Sequence, residues 1–374
     1  MTSGRFRVGV VMHDFALGGT ERIAARLATA WSGLGADVEI FCGNDAGPMR
    51  ELLAGNVRVS APSRPIHRGR RSVRRLGAAA FAHFDEHPVD AIFVPGNYHW
   101  RALPALAGLK PRPRIIVQIS SALEKQQRGR LRQIWFEARM RRLLADADEI
   151  VTLSDETSVI ARRILGRSKV ATLALPALPD VDAPPVASPD TPPLVLGIGR
   201  LVPQKDFRTL VDAFAILAHP TARLAILGSG PQEAMIRARI RSHELEDRVT
   251  LVGYVPEIRP WLDRAHLFVL SSGHEGYGAV IIEALAAGRR VVATDCTPAA
   301  TELLRDPSIG RVVPICDPAA LASAMRAMLA SPAPDPGAIA GHVKRFRIGP
   351  IARAYLDLMG YREAGDRSDS GGSH

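Results

Sequence analysis

Glu275 and Glu283 stand eight residues apart in the stretch Ser271-Ser-Gly-His-Glu-Gly-Tyr-Gly-Ala-Val-Ile-Ile-Glu283, with Gly273, Gly276 and Gly278 around the first of them. A carboxylate accepts two hydrogen bonds side by side, which suits neighbouring sugar hydroxyls. The glycines let the backbone turn tightly and approach a ligand. A helix opening at about Gly278 would aim its free amides at an anion. A second stretch, Gly197-Ile-Gly199-Arg200-Leu-Val-Pro-Gln-Lys205-Asp206, carries two cations of unlike geometry on one glycine-containing loop. Arginine grips a phosphate as a fork and lysine as a point charge, so the pair suits a diphosphate. Each hydrogen bond to such a charged group is worth roughly 1.5–3 kcal/mol. Taken singly, either stretch also fits ordinary solvated charge.

Other spacings say less. Leu227-Gly228-Ser229-Gly230-Pro231 lacks a full dinucleotide fingerprint and reads as a tight turn from strand to helix. Gly253-Tyr254-Val255-Pro256 is a turn that can offer backbone groups to a base. His13 follows the first apolar run and is a candidate sugar or acceptor contact, or a plain loop histidine. Asp146-Ala-Asp148 has the form of a metal-binding pair but runs from a helix end into a strand, so a structural turn is expected.

The elements that must hold these residues are legible. Short β-branched apolar runs occur at Phe6–Met12, Val38–Phe41, Ala91–Val94, Ile115–Ile119 and Glu149–Leu153. A second series runs through Leu194–Gly197, Arg223–Leu227, Val249–Leu251, Leu267–Leu270 and Arg290–Ala293. Helical patterns separate them, as Ile23–Leu34 does after Gly18-Gly19-Thr20-Glu21-Arg22, with Gly35 as a stop. Strands alternating with helices imply parallel sheets covered on both faces. The two richest motifs then fall at the C-terminal ends of parallel strands, where such sheets bind ligands.

Between the series, Pro176–Pro193 holds seven prolines in 18 residues without helical or strand period. The expected layout is a first domain over 1–178, a linker over 179–193 and a second domain over 194–346. A C-terminal helix over about 347–362 belongs with the first domain, and a disordered tail covers 364–374. The chain has 374 residues, of which 47% are hydrophobic, enough for two ordinary cores. No apolar run approaches the roughly 18–20 residues of a membrane span. The opening residues read as a first core strand rather than a signal peptide. Cys42, Cys296 and Cys316 are odd in number and show no metal-ligand spacing, and a reducing cytoplasm suits them.

Charge is unevenly placed. Residues 1–190 hold 27 Lys/Arg against 19 Asp/Glu, a balance of +8, within a chain of net charge +10. Arg58 to Arg75 carries seven arginines and no acid, and Lys125 to Arg142 carries seven Lys/Arg with Glu137 opposing. Such an excess calls for an anionic partner. In the second run Leu131, Ile134, Trp135 and Ala138 make one apolar stripe, and Phe136, Met140, Leu143 and Leu144 make another. One stripe is free to pack on the domain and the other to lie on anionic lipid. Aromatics at 5% and the lack of a nucleic-acid module argue against a nucleic-acid partner.

The chain resembles glycosyltransferase family 4, the retaining enzymes of GT-B fold. The resemblance rests on Glu275-x7-Glu283 within EGYGAVIIEALAAGRRVVATD, on GRL-x-x-QKD at Gly199–Asp206, and on GGTER at Gly18–Arg22. It implies two Rossmann-like domains with parallel sheets facing across a cleft, and a C-terminal helix around Ile351–Met359 that crosses back to the first domain. It implies that Arg200 and Lys205 hold the donor diphosphate, that Glu275 touches the donor sugar and that Glu283 takes the ribose hydroxyls. Gly276, Tyr277 and Gly278 would supply amides near phosphate and sugar. Gly18 and Gly19 would lie near the phosphates or acceptor, with Gly199, Tyr254 and Val255 on the donor side. Acceptor contacts would fall to His13 and Ser120. The chain departs from the family pattern where Ser120-Ser121 replaces a frequent His-Gly pair and where Pro176-Ala177-Leu178 replaces an Asn-Gly linker opening.

The resemblance also implies a nucleotide-diphosphate sugar as co-substrate, with UDP as first guess, and neither cofactor nor metal. The acceptor would be a glycan or a polyprenyl-phosphate-linked one in cell-envelope or exopolysaccharide synthesis. The enzyme would be cytoplasmic, peripheral on the inner membrane face. A nucleotide-sugar epimerase on the same fold, a nucleic-acid-binding protein and a non-catalytic sugar-nucleotide sensor are the rival readings. An epimerase would change the donor's sugar without any acceptor.

Overall fold

The computed structural model describes residues 5–16, 18–120, 123, 129–166, 169–181, 184–186, 192–332 and 335–362. Ser121, Lys125, Arg128, parts of both proline-rich segments and the tail 364–374 lie outside the described residues. The chain divides into two compact units, Met1–Pro176 with Ile348–His374, and Ala177–Arg347.

In the first unit the strands are β1 (Arg7–Met12), β2 (Asp37–Cys42), β3 (Arg58–Ser60), β4 (Ala91–Val94), β5 (Arg114–Ile119), β6 (Glu149–Thr152) and β7 (Val170–Thr172). The helices between them are α1 (Gly19–Gly33), α2 (Ser72–Glu86), α3 (Gly96–His99), α4 (Leu103–Leu106), α5 (Arg130–Leu143) and α6 (Asp155–Leu165). The sheet order is β3-β2-β1-β4-β5-β6-β7, and every pairing is parallel. Val8 sits opposite Val38 and Val10 opposite Ile40 on one face, Val11 opposite Phe41 on the other, and all are buried, so the apolar runs bury on both faces. The order reverses direction between β1 and β4, which opens a crevice at their C-terminal ends. Three short strands, β3, β7 and Gly310–Val313 of the second unit, escape the apolar-run criterion. They have three or four residues with Arg, Ser or Thr among them, and they lie at or next to sheet edges.

The second unit repeats the scheme. Its strands are β8 (Leu194–Ile198), β9 (Arg223–Leu227), β10 (Val249–Gly253), β11 (Leu267–Leu270), β12 (Arg290–Thr294) and β13 (Gly310–Val313). Its helices are α7 (Phe207–Leu217), α8 (Glu233–Ser242), α9 (Arg259–Arg264), α10 (Ala279–Ala286), α11 (Pro298–Leu303), α12 (Pro318–Ala330) and α13 (Pro336–Gly341). The order β10-β9-β8-β11-β12-β13 is again all parallel, with its reversal between β8 and β11. Helices α7 and α12 close one face over Leu210, Phe214, Leu321 and Met325. The described part of the proline-rich segment is tied to this unit. Buried Arg289 donates to the carbonyls of Ala265, Ala287 and Val186, and Arg259 donates to that of Pro184 at 2.7 Å.

The last helix, α14 (Ile348–Met359), belongs to the first unit. Ile351, Ala352, Tyr355, Leu356 and Met359 recur at helical spacing and are buried. Trp31 Nε1 donates to the Ala352 carbonyl at 3.0 Å, and Gln118 Nε2 donates to Tyr355 Oη at 3.1 Å. The Tyr355 ring meets Trp31 and Phe93 edge-on at 5.9 and 5.4 Å. Polar handles on buried aromatics thus fix where the chain returns.

Candidate functional site

The second unit brings its two motifs together at the strand-order reversal. Gly199–Asp206 follows β8 and Ser271–Gly278 follows β11, the two strands that flank the crevice. Lys205 Nζ donates to Glu275 Oε1 at 2.5 Å, with the side chains 17% and 10% exposed. Ser272 Oγ donates to the same oxygen at 2.7 Å. Oε2 has no hydrogen-bond partner among the described residues, so it retains lone pairs for an incoming hydroxyl.

Each residue of the Gln204-Lys205-Asp206 run has a physical task. Gln204 Nε2 donates to the His274 carbonyl at 2.8 Å, and the Gly273 amide donates to the Gln204 carbonyl at 2.9 Å. Lys205 lays its stem over Gly199, where an added Cβ would sit 3.2 Å from Lys205 Cδ. Asp206 takes a left-handed φ of 44° and caps α7: its carboxylate accepts from the Thr209 amide at 3.3 Å and from Thr209 Oγ1 at 2.6 Å. Ser271 Oγ holds the Lys205 carbonyl at 2.9 Å. The ammonium is therefore positioned from both of its neighbours and from the facing loop. Arg200 is exposed, and its guanidinium makes no hydrogen bond or ion pair with the described residues.

The Glu275 loop is pinned from beneath. The Glu275 amide donates to the Cys296 carbonyl at 3.0 Å, Thr294 Oγ1 to the Ser272 carbonyl at 2.6 Å and Thr297 Oγ1 to the Gly276 carbonyl at 3.3 Å. Gly278 has φ +81° and precedes α10, which has no side-chain cap on its first turn. Glu283 lies in the second turn of α10, half-buried. The Tyr277 ring is buried edge-on to Phe346 at 6.0 Å, so its side chain faces the core. Tyr254 is exposed and Val255 half-buried in the turn after β10. The Gly228-Ser-Gly230 turn interlocks with the Arg200 loop: Leu201 N donates to the Ser229 carbonyl at 2.9 Å, and a Cβ on Gly228 would fall 1.9 Å from the Gly199 oxygen.

The first unit gathers a second group at its own reversal, after β1 and β4. His13 is wholly buried. Its backbone amide donates to His99 Nε2 at 3.0 Å, which makes that nitrogen the unprotonated one. His99 Nδ1 then donates to the Pro95 carbonyl at 2.6 Å, and burial drives the ring down to a pKa of about 4. His13 Nδ1 lies 3.3 Å from Asp14 Oδ2, and His13 Nε2 is buried with no partner among the described residues. Arg68 forks onto Asp14 at 2.6 and 2.7 Å and reaches buried Glu21 at 2.6 Å. Burial pushes Asp14 up, but the bonds from Arg68, then His13 and the Ala16 amide, outweigh it and hold its carboxyl well below the usual range. Gly19 opens α1 with nothing within 4 Å of an added Cβ, whereas a Cβ on Gly18 would meet Glu21 Oε2 at 2.2 Å. Ser120 pairs with Asn97: its amide donates to Asn97 Oδ1 at 2.9 Å and the Asn97 amide to its Oγ at 3.3 Å.

Sequence reasoning left out Asp14, Arg68, Gly96, Asn97 and His99. Gly96 has φ +65°, and an added Cβ would lie 2.8 Å from Thr20 and 2.9 Å from Ser120 Oγ. The Pro95-Gly96-Asn97 punctuation directly after an apolar run was the available signal. Asp148 serves the sheet: its carboxylate accepts from Arg112 at 2.9 Å and from the Ile115 amide at 2.8 Å. Among the described residues no cluster of three or more His, Cys, Asp or Glu could hold a metal ion, and no helix is long and apolar enough to cross a membrane.

Comparison with known proteins follows this division. The glycosyl transferase 4-like domain matches residues 18–177, and the glycosyl transferases group 1 family matches residues 180–340. The chain is 33% identical over 183 residues to the lipopolysaccharide core biosynthesis glycosyltransferase LpsE of Rhizobium meliloti, covering 48% of this chain and 53% of that one. It is 31% identical over 135 residues to the N-acetylgalactosamine-N,N'-diacetylbacillosaminyl-diphospho-undecaprenol 4-alpha-N-acetylgalactosaminyltransferase of Campylobacter jejuni, covering 36% and 37%. The chain spans about half, or less, of the length of these curated relatives. Among solved structures, sucrose-phosphate synthase from Thermosynechococcus elongatus superimposes with a TM-score of 0.76 at 21% identity, covering 95% of this chain and 98% of that one. Anabaena HepE in complex with UDP and glucose gives 0.74 at 18%, covering 95% and 100%. These likenesses establish the fold. The chain belongs to the family-4-like glycosyltransferases of GT-B fold.

Proposed function

We propose that the chain transfers a sugar from a nucleotide-diphosphate sugar to a glycan or lipid-linked acceptor, with retention of anomeric configuration, in the synthesis of an envelope or exported polysaccharide. The observation that carries this reading is the Lys205–Glu275 pair at 2.5 Å in the crevice of the second unit. A cation and a carboxylate side by side match a phosphate joined to a hydroxylated ring. Arg200 and Lys205 would hold the diphosphate, with amides of Gly276, Tyr277 and Gly278 beside it. Glu275 Oε2 would accept from the donor sugar and Glu283 from the ribose. Gly199, Tyr254 and Val255 would line the nucleotide, and Gly18 and Gly19 would serve the phosphates or acceptor.

In the reaction the acceptor oxygen bonds to the anomeric carbon as the bond from that carbon to the phosphate oxygen breaks. The acceptor's proton passes to the departing phosphate oxygen. Charge develops on the leaving diphosphate, so stabilising it dominates the barrier. Cations and helix amides supply that stabilisation, and no metal or other cofactor is invoked. In the first unit, His13 Nδ1 faces Asp14 and Nε2 is buried without a partner among the described residues, leaving Nε2 to meet a ligand. A sugar hydroxyl would satisfy it, with Ser120 nearby in the same group of loops. The enzyme would work in the cytoplasm, peripheral on the membrane's inner face. One relative named for lipopolysaccharide core biosynthesis and another whose name carries a diphospho-undecaprenol-linked sugar support such acceptors.

A thermal-shift panel of nucleotide sugars tests the donor, since a ligand at 100 times its Kd stabilises by about 2.7 kcal/mol. UDP-sugars come first, because HepE was solved with UDP. The anomeric configuration of the first product, read by proton NMR, tests retention. Inversion, or no shift with any nucleotide sugar, would overturn the corresponding part.

A further inference from the structure

A cavity of about 530 Å³ opens in the first unit between the start of α2, the segment after β4 and α5. Its rim carries Arg70, Arg71, Arg74, Arg101 and Arg139, and among the described residues an adjoining hollow of about 340 Å³ is lined by those five arginines alone. Among the described residues no carboxylate lines either. None of the five guanidinium groups makes a hydrogen bond or ion pair with a described residue. Elsewhere in the unit Arg50, Arg58, Arg68, Arg112 and Arg114 each meet an acid within 3 Å. Like charges gathered without counter-charge repel one another, and an anion in their midst offsets that. The start of α2 adds to the field, since its first turn has no acid and no side-chain cap.

The floor is of another kind. Val73, Trp100, Phe136, Met140 and Leu143 supply apolar surface beneath the arginines. Along α5 the apolar surface continues outward, with Leu131 79% and Trp135 81% exposed. A bare inorganic anion would leave this surface unused. The cavity also borders the His13 group, because Asn97 and Tyr98 line it while Asn97 holds Ser120 and the Tyr98 ring lies 5.8 Å from that of His13.

The geometry points to a seat for the diphosphate of a lipid-linked acceptor, with arginine forks on the phosphates and the first carbons of the chain on the apolar floor. This deepens the proposed function and rests on it. Farnesyl diphosphate is the probe, with inorganic diphosphate and farnesol as controls, titrated against the full chain by calorimetry. Farnesyl diphosphate binds at least ten-fold tighter than either control. The Arg71→Glu/Arg74→Glu variant loses at least ten-fold of that affinity, as does Arg101→Ala/Arg139→Ala, which keeps the α2 start intact. Both variants keep the thermal shift given by the donor sugar nucleotide.

Equal affinity for inorganic and farnesyl diphosphate overturns the lipid source in favour of a soluble phosphorylated acceptor. Absence of binding, or binding indifferent to both variants, overturns the site. If the wild-type chain shows no shift with any nucleotide sugar, the failure lies with the proposed function. If that shift is present and farnesyl diphosphate does not bind, it lies with this inference alone.

Discussion

The two units are built on one plan, and their crevices differ in how charge is settled. In the second unit the central cation already has a partner: Lys205 lies against Glu275, and Ser272 braces the same oxygen. In the first unit Arg68 is fully engaged with Asp14 and Glu21, yet the five arginines around the cavity have no partner among the described residues. A settled ion pair costs little to keep. An unsettled arginine cluster is destabilising until an anion binds. The comparison assigns fixed geometry to the second crevice and open electrostatic demand to the first.

The largest expected effect is at the ion pair. Lys205→Ala and Glu275→Ala should each reduce transfer roughly 10²–10³-fold, the scale for loss of one stabilising group. Circular dichroism should report a folded chain in both cases. Near-normal turnover in both would erase the distinction between the crevices. Gly228→Ala should instead unfold the second unit's loop pairing, by roughly 2–4 kcal/mol, because its Cβ would meet the Gly199 oxygen at φ +134°. A denaturant midpoint close to that of the wild type would contradict the interlock.

In the first unit the buried His99 sets a pH dependence. Burial lowers its pKa from an ordinary 6.5 to about 4, against the Pro95 carbonyl that pulls upward. Between those values the unfolded chain takes up a proton that the folded chain refuses. Stability is therefore whole above pH 6.5 and falls as pH drops through the window, by up to about 3 kcal/mol. Melting temperatures at pH 7 and 4.5 should separate more for the wild type than for His99→Gln; equal separations would refute a neutral buried ring. Arg68→Ala should cost about 1–2 kcal/mol, discounted because the guanidinium is 43% exposed. The smallest effect on stability is expected at Gly19→Ala, which meets nothing within 4 Å. If its role is to admit a ligand, activity drops several-fold while the melting temperature holds; unchanged activity would remove Gly19 from the site.

Much of the fold was legible because parallel strands buried on both faces read as continuous apolar runs. β4, β9 and β11 begin and end where the apolar runs do. β3, β7 and β13 were not legible, since a short strand near a sheet edge is held by its neighbour's backbone rather than by its own side chains. The motifs of the second unit's crevice were legible because each is local: Gln204, Lys205 and Asp206 perform three tasks in three consecutive positions. The first unit's group was legible only at His13 and Ser120, because Arg68 and Asn97 come from two further connections and no spacing links the four. The arginine run was visible as charge, but only the fold reveals that Arg101 and Arg139 join it around one cavity.

The central claim is that Arg200, Lys205, Glu275 and Glu283 together grip a sugar joined to pyrophosphate. Titrating the nucleotide sugar that gives the greatest thermal shift against the wild type and the four single alanine variants tests it directly. The account predicts that each variant binds at least ten-fold more weakly while remaining folded. Wild-type affinity retained in all four would contradict it.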